Sequence, residues 1–168
     1  AIVHLKAFES EGGKTKTDLM ADARNRLGDC YFIATNYRAA IDYYDKVIES
    51  SVSDADYAMF QKGFCLGLMN NQKGKVEILS AMITKFPSSS ILANAYYERG
   101  RAYLVMEDFR RGEADFNAVI ANFVSSPFVP RAIVQLGLLY YNQGENEKAI
   151  AQYRKVIENY RATPEARY

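Results

Sequence analysis

Apolar positions along this chain recur at helical spacing, and the same arrangement then recurs in blocks. Gly28, Gly63, Gly100 and Gly137 stand at matching points, at intervals of 35, 37 and 37 residues. Counted from its glycine, the first block runs Leu27, Gly28, Tyr31, Ala40, Tyr44 and Val47, at offsets −1, 0, +3, +12, +16 and +19. The fourth repeats it as Leu136, Gly137, Tyr140, Ala149, Tyr153 and Val156. The third gives Arg99, Gly100, Tyr103, Gly112, Phe116 and Val119, and the second Lys62, Gly63, Leu66, Lys75, Leu79 and Met82. Spacings of three, four and seven place apolar side chains on one helical face. Polar breakers at Thr35-Asn36, Asn70-Asn71 and Asn142-Gln143-Gly144 cut the blocks in two. The pattern predicts an all-α chain of helix-turn-helix units.

A glycine facing a small residue twelve positions on lets two antiparallel helices approach closely. Lys75 breaks that rule in the second block. Its stem is expected to snorkel, with the ammonium in water and the local helix pair looser. Pro87, Pro127, Pro130 and Pro164 are expected between helices, with Ser88, Ser125 and Ser126 available as caps. On this register one array spans the chain, with units at 18–52, 53–88, 89–126 and 127–163. Residues 1–14 read as the second helix of a truncated unit plus a loop, because Ala1, Ile2, Leu5 and Phe8 match Ala149, Ile150, Tyr153 and Val156. Residues 164–168 read as the start of a further helix. The chain is therefore expected to be a segment of a longer array, with a short chain carrying an orphan capping helix as the alternative. Apolar surface at the ends of such a segment favours self-association.

The order Leu-Gly, Tyr three on, Ala twelve on and Tyr or Phe sixteen on, with proline between units, resembles the tetratricopeptide repeat family over nearly the whole chain. The match is sharpest in the first and fourth units and weakest in the second, where Leu66 and Lys75 replace the tyrosine and alanine. Joints reading Lys85-Phe86-Pro87-Ser88-Ser89 and Asn122-Phe123-Val124-Ser125-Ser126-Pro127 resemble the bacterial cell-envelope subgroup, such as outer-membrane assembly lipoproteins and the Tol-Pal periplasmic coordinator. That likeness implies a periplasmic or cell-envelope location, with the cytoplasm as the alternative.

The resemblance implies a right-handed superhelical solenoid whose first helices line a concave groove for a peptide or partner protein. The family's inward positions fall on Asp22, Asn25, Asp29 and Phe32, then Tyr57, Phe60 and Phe64. They continue with Asn94, Tyr97, Arg101 and Leu104, and end with Arg131, Val134, Leu138 and Tyr141. Such a groove is aromatic in its middle, acidic toward the N-terminal end and basic toward Arg101 and Arg131. Tyr57, Phe60, Phe64 and Tyr97 would anchor a partner, with Asn25, Asn94 and Arg101 as polar contacts. The competing reading packs these rings against neighbouring helices and leaves the arginines as solvated charges. Some family members grip a terminal carboxylate through a lysine, asparagine and arginine set. Asn25, Asp29 and Glu98 occupy those places, so that clamp is not expected.

Charge and composition narrow the partner class. With 21 basic and 20 acidic side chains the net charge is +1, which gives no long-range pull on nucleic acid or an anionic membrane. No apolar run approaches the ~18 residues that mark a membrane span, so no direct insertion is expected. The 13 tyrosines and 9 phenylalanines supply aromatic bulk for packing. Cys30 and Cys65, two residues after their glycines and without a CxxC partner, read as small buried apolar residues, with no metal site expected. Gly12-Gly13-Lys14-Thr15 imitates a phosphate loop, but Phe8 stands where its first glycine belongs and no strand precedes it. His4, the only histidine, has no nucleophile to serve. Asp42, Asp45, Glu145, Glu147, Arg38, Arg110 and Arg111 read as solvated charges on second helices or turns. With no cofactor motif and no catalytic set, the chain reads as a non-enzymatic protein-interaction scaffold. The alternatives are a structural spacer or self-association segment of a longer repeat protein, and an accessory domain of an enzyme.

Overall fold

The computed structural model describes residues 2–11, 17–50, 54–161 and 164–167. They form nine α-helices and one terminal 3₁₀ turn, with no strand among the described residues. Two compact units divide the chain, Ala1–Ile91 and Leu92–Tyr168. The first holds α1 (Ile2–Glu11), α2 (Thr17–Ile33), α3 (Tyr37–Ser50), α4 (Ala55–Leu68) and α5 (Gln72–Lys85). The second holds α6 (Leu92–Val105), α7 (Phe109–Asn122), α8 (Phe128–Asn142), α9 (Asn146–Asn159) and the 3₁₀ turn Pro164–Arg167. Inside each unit the dominant packing is between helices consecutive in sequence, as a stack of hairpins requires. The phosphate-loop lookalike at 12–15 lies outside the described residues, as do the side chains of Leu5 and Phe8.

The hairpins α2–α3, α4–α5, α6–α7 and α8–α9 turn in the same way. Each first helix ends on a left-handed residue: Thr35 (φ 58°), Asn70 (φ 61°), Glu107 (φ 60°) and Gly144 (φ 77°). The next residue donates its N–H back into the helix, from Asn36 to Tyr31, Asn71 to Leu66, Asp108 to Tyr103 and Glu145 to Tyr140, at 2.8–2.9 Å. This closure satisfies carbonyls that a helix end otherwise leaves open. In three turns the same residue then caps the second helix, as the Asn36, Asn71 and Asp108 side chains accept from the N–H groups of Ala39, Gly74 and Arg111. One short polar pair therefore stops one helix and starts the next.

Joints between hairpins differ in part from the sequence expectation. Ser126 accepts from the Phe128 N–H at the start of α8, where Pro127 holds the cap position, and Ser89, not Ser88, accepts from the Ile91 N–H just before α6. Pro130 is the third residue of α8 and lies inside the helix. A proline is tolerated there because first-turn N–H groups have no intrahelical partner. Pro164 opens the 3₁₀ turn Pro164–Arg167.

Close approach at the repeat glycines is direct. A Cβ on Gly28 would overlap the Tyr44 ring, and one on Gly137 would stand 2.6 Å from Tyr153. At Gly100 it would stand 2.9 Å from Phe116, but at Gly63 the nearest atoms are those of Leu79 at 3.1 Å. The second pair is thus the most relaxed at its glycine, and it also holds Lys75. The residue is only 6% exposed, and its ammonium lies 5.5 Å from the Phe64 ring centre. Space for the stem comes from Gly67, whose Cβ would stand 2.9 Å from Lys75 Cδ. In the third hairpin the bulk has changed sides, since a Cβ on Gly112 would meet Leu104 at 2.9 Å. Large-against-small is kept while the residues trade places. Lys75→Ala, which restores the family's small residue, is therefore expected to lower stability by roughly 2 kcal/mol through loss of buried methylenes. Urea denaturation followed at 222 nm measures it, and a gain in stability would contradict this packing.

Ala21, Ala40, Tyr44, Val47, Ala58 and Cys65 form one buried cluster of the first unit, where Leu27, Leu79 and Met82 are also fully buried. The second unit is centred on Phe116, Val119, Val129, Ile133, Leu136 and Val156. Both cysteines are free thiols, Cys65 buried and Cys30 half-buried. Burial pushes the Cys65 thiol up to about 11 from its usual 9.0. The folded state holds that proton more tightly than the unfolded chain, so this contribution is complete below pH 9.0 and is lost as the pH rises through about 11. Because the thiolate is the nucleophile, iodoacetamide at pH 8 is expected to modify Cys30 well before Cys65. Equal rates in the native protein, read by mass spectrometry, would contradict the burial.

Candidate partner-binding faces

In the first unit, α2 places Asn25, Asp29 and Phe32 on successive turns, and α4 does the same for Tyr57, Phe60 and Phe64. Spacings of three, four and seven bring each set to one side of its helix. Asn25 is 5% exposed; its amide donates to the Asp54 carbonyl at 3.5 Å, while its buried Oδ1 accepts no hydrogen bond. Asp29 is the centre of a polar ladder. Its carboxylate accepts from the Tyr44 hydroxyl at 2.8 Å and from the Tyr57 hydroxyl at 3.0 Å, and Gln61 donates to Tyr57 at 2.7 Å. Burial first, then the charge of Asp29, pushes the Tyr57 phenol up, with the Gln61 bond acting the other way. Tyr44, fully buried, is raised further for the same reasons. Asp29 thus ties α2 to α3 and α4, and its charge is engaged by two hydroxyls.

Three phenylalanines at sequence-derived inward positions lie together beside that ladder. Phe32 lies 5.6 Å from Tyr37 and 6.0 Å from Phe64, and Phe60 lies 6.3 Å from Phe64. All three phenylalanines are half-buried. Asp22, one turn before Asn25, pairs with Arg26 at 2.8 Å on the surface.

In the second unit, α6 carries Asn94, Tyr97, Arg101 and Leu104, and α8 carries Arg131, Val134, Leu138 and Tyr141. Tyr97 is only 8% exposed, with its ring 5.8 Å from Phe116 and 5.2 Å from Phe128. It belongs chiefly to the core and shows one edge to a pocket of about 390 Å³, lined also by Arg101, Arg131, Val134, Gln135 and Glu165. Arg101 donates to the buried Glu98 at 3.2 Å. Arg131 donates to Glu165 at 3.1 Å and covers the Phe128 ring at 5.2 Å. Both arginines of this unit are therefore matched by carboxylates. Leu138 lies apart from this pocket, in an apolar cleft of about 320 Å³ with Leu104, Val105, Phe109 and Leu139. Leu138 and Tyr141 are 43% and 63% exposed, and Asn94 is half-buried and lines neither cavity.

Gln135 and Glu165 were not among the sequence-derived positions. Gln135 follows Arg131 by four residues, a helical spacing that signals a shared face. Glu165 lies 34 residues beyond Arg131, and no local pattern announces it. Among the described residues no group of three metal-ligating side chains converges, and no helix is long and apolar enough to cross a membrane. His4 is exposed.

Profiles described as tetratricopeptide repeat match residues 21–51, 57–89 and 97–167. The comparison with curated protein sequences gives no match. Among solved structures, MamA from Desulfovibrio magneticus RS-1 is similar at 20% identity with a TM-score of 0.78, covering 97% of this chain and 85% of that one. PilW, a type IV pilus biogenesis factor, is similar at 14% identity and a TM-score of 0.74, over 88% and 66% of the two chains. A Rap protein complexed with Competence and Sporulation Factor gives 16% identity and 0.71, over 94% and 47%. At these identities the likeness is one of fold.

Proposed function

Because the chain belongs to the tetratricopeptide repeat family, we propose that it is a non-enzymatic scaffold that binds a peptide or partner protein on the faces of its first helices. Those faces are carried by α2 and α4 in one unit and by α6 and α8 in the other. The observation that carries this reading is the half-buried cluster Phe32, Phe60 and Phe64, whose rings keep accessible surface beside a fixed polar ladder. Aromatic surface rimmed by polar groups is the composition of interface hot spots. Leu138 and Tyr141 supply similar surface on α8. The Rap protein, similar in fold over about half its own length and crystallised in complex with Competence and Sporulation Factor, supports the same use.

The joints after α5 and α7 support a bacterial envelope location within the same proposal, and cell fractionation with an antibody to the native protein tests that part. For the binding itself, the partner is identified by co-purification from the native source and mass spectrometry. Phe60→Ala combined with Phe64→Ala is then expected to weaken partner binding by more than about tenfold, the effect of losing ~1.4 kcal/mol of contact energy. Helicity at 222 nm stays unchanged. Unaltered binding contradicts the proposal, and so does collapse of the fold, which would make these rings core.

A further inference from the structure

We propose that the pocket between Arg101 and Arg131 is a receptor for an acidic side chain, and that Glu165 of the turn Pro164–Arg167, at the pocket wall, engages Arg131 when no partner is bound. The inference rests on the scaffold reading and specifies what one face of the second unit recognises. Glu165 is carried by a single 3₁₀ turn, Pro164–Arg167, yet its side chain is only 17% exposed, since it lines the pocket and its carboxylate accepts from Arg131 at 3.1 Å. Arg131 is held in place from below by the Phe128 ring, 5.2 Å from the guanidinium carbon. A planar guanidinium laid on an aromatic face presents its N–H edge to a carboxylate at little entropic cost.

Charge balance favours the same occupant. With Glu165 in place, Arg101 and Arg131 face Glu98 and Glu165; with Glu165 withdrawn, two guanidiniums face the single carboxylate of Glu98. Gln135 and Tyr97 add neutral polar groups, and Val134 an apolar wall, within about 390 Å³. Arg131 is 49% exposed, so the internal pair is of the weak, solvent-screened kind that a competitor displaces. A partner segment presenting glutamate or aspartate on a turn reproduces the contact Glu165 makes. The resident glutamate lowers the apparent affinity by the fraction of time it occupies the site.

The test is an NMR titration of the whole chain with the blocked peptide acetyl-Ala-Glu-Ala-amide. The neutral acetyl-Ala-Gln-Ala-amide and the free acid acetyl-Ala-Ala-Ala serve as comparison arms. The expected result is saturable shifts at the Arg101 and Arg131 Nε–H signals with the glutamyl peptide. Affinity rises about two- to fivefold in Glu165→Gln and is lost in Arg131→Gln. Equal binding of the glutaminyl peptide, or no gain in Glu165→Gln, overturns the proposal. Tighter binding of the free acid than of the glutamyl peptide overturns the assignment to an acidic side chain in favour of a chain terminus. Either failure leaves the scaffold reading standing if Phe60→Ala with Phe64→Ala still weakens partner binding by more than about tenfold, so the two are separable.

Discussion

Arg99→Met is expected to lower the stability of the second unit by about 3–5 kcal/mol at neutral pH, the usual cost of stripping one partner from a buried ion pair. Arg99 on α6 grips Asp115 on α7 with two hydrogen bonds, Nε to Oδ2 at 2.8 Å and Nη2 to Oδ1 at 2.7 Å. Asp115 is 5% exposed. Burial already holds its carboxyl above the usual 3.8, with Arg99 pulling the other way. Removing the guanidinium therefore raises that carboxyl further. A raised folded-state carboxyl contributes stability below its unfolded value and loses it as pH climbs through the folded one. The deficit of Arg99→Met relative to the native chain is accordingly larger at pH 7 than at pH 4. Urea denaturation at the two pH values checks both statements; a deficit under about 1 kcal/mol, or one independent of pH, would show that the pair is solvated.

The second large effect is steric. Gly28→Ala is expected to cost about 1–3 kcal/mol despite the gain in helix propensity of up to about 1 kcal/mol. The new methyl group would overlap the Tyr44 ring, which is fully buried and has its hydroxyl fixed on Asp29 at 2.8 Å. The ring cannot swing aside without breaking the ladder that joins α2, α3 and α4. Gly63→Ala, by contrast, meets the flexible Leu79 at 3.1 Å and is expected to stay within about 1 kcal/mol of the native chain. Thermal denaturation of the pair of variants decides it. Equal losses would mean that the tyrosine adds nothing to the tightness of the first hairpin.

Most of the helical framework was legible in the sequence because one period controls it: each glycine and its partner sixteen residues on must meet. Thr35, Asn70 and Gly144 lay in the anticipated breakers, whereas Met106-Glu107-Asp108 lacks glycine and asparagine and makes the same turn through the Asp108 cap. How Lys75 is accommodated was not legible, because the register compares like positions while the space for its stem comes from an unlike one, Gly67 across the hairpin.

The candidate faces were less legible for a related reason. Periodicity tells which side of a helix is apolar but not what covers it. Tyr97 and Phe60 are both aromatic residues at inward-type positions, yet Tyr97 is drawn into the core by Phe116 and Phe128 while Phe60 stays half-buried. Arg131 could be placed on α8, but its carboxylate partner comes from the terminal turn.

The most direct test of the scaffold account is amide hydrogen exchange of the chain with and without its identified partner. The account predicts added protection on α2, α4, α6 and α8, centred on Asp29 to Phe32, Phe60 to Phe64, and Arg131 to Tyr141. Protection confined to the second helices α3, α5, α7 and α9 would contradict it.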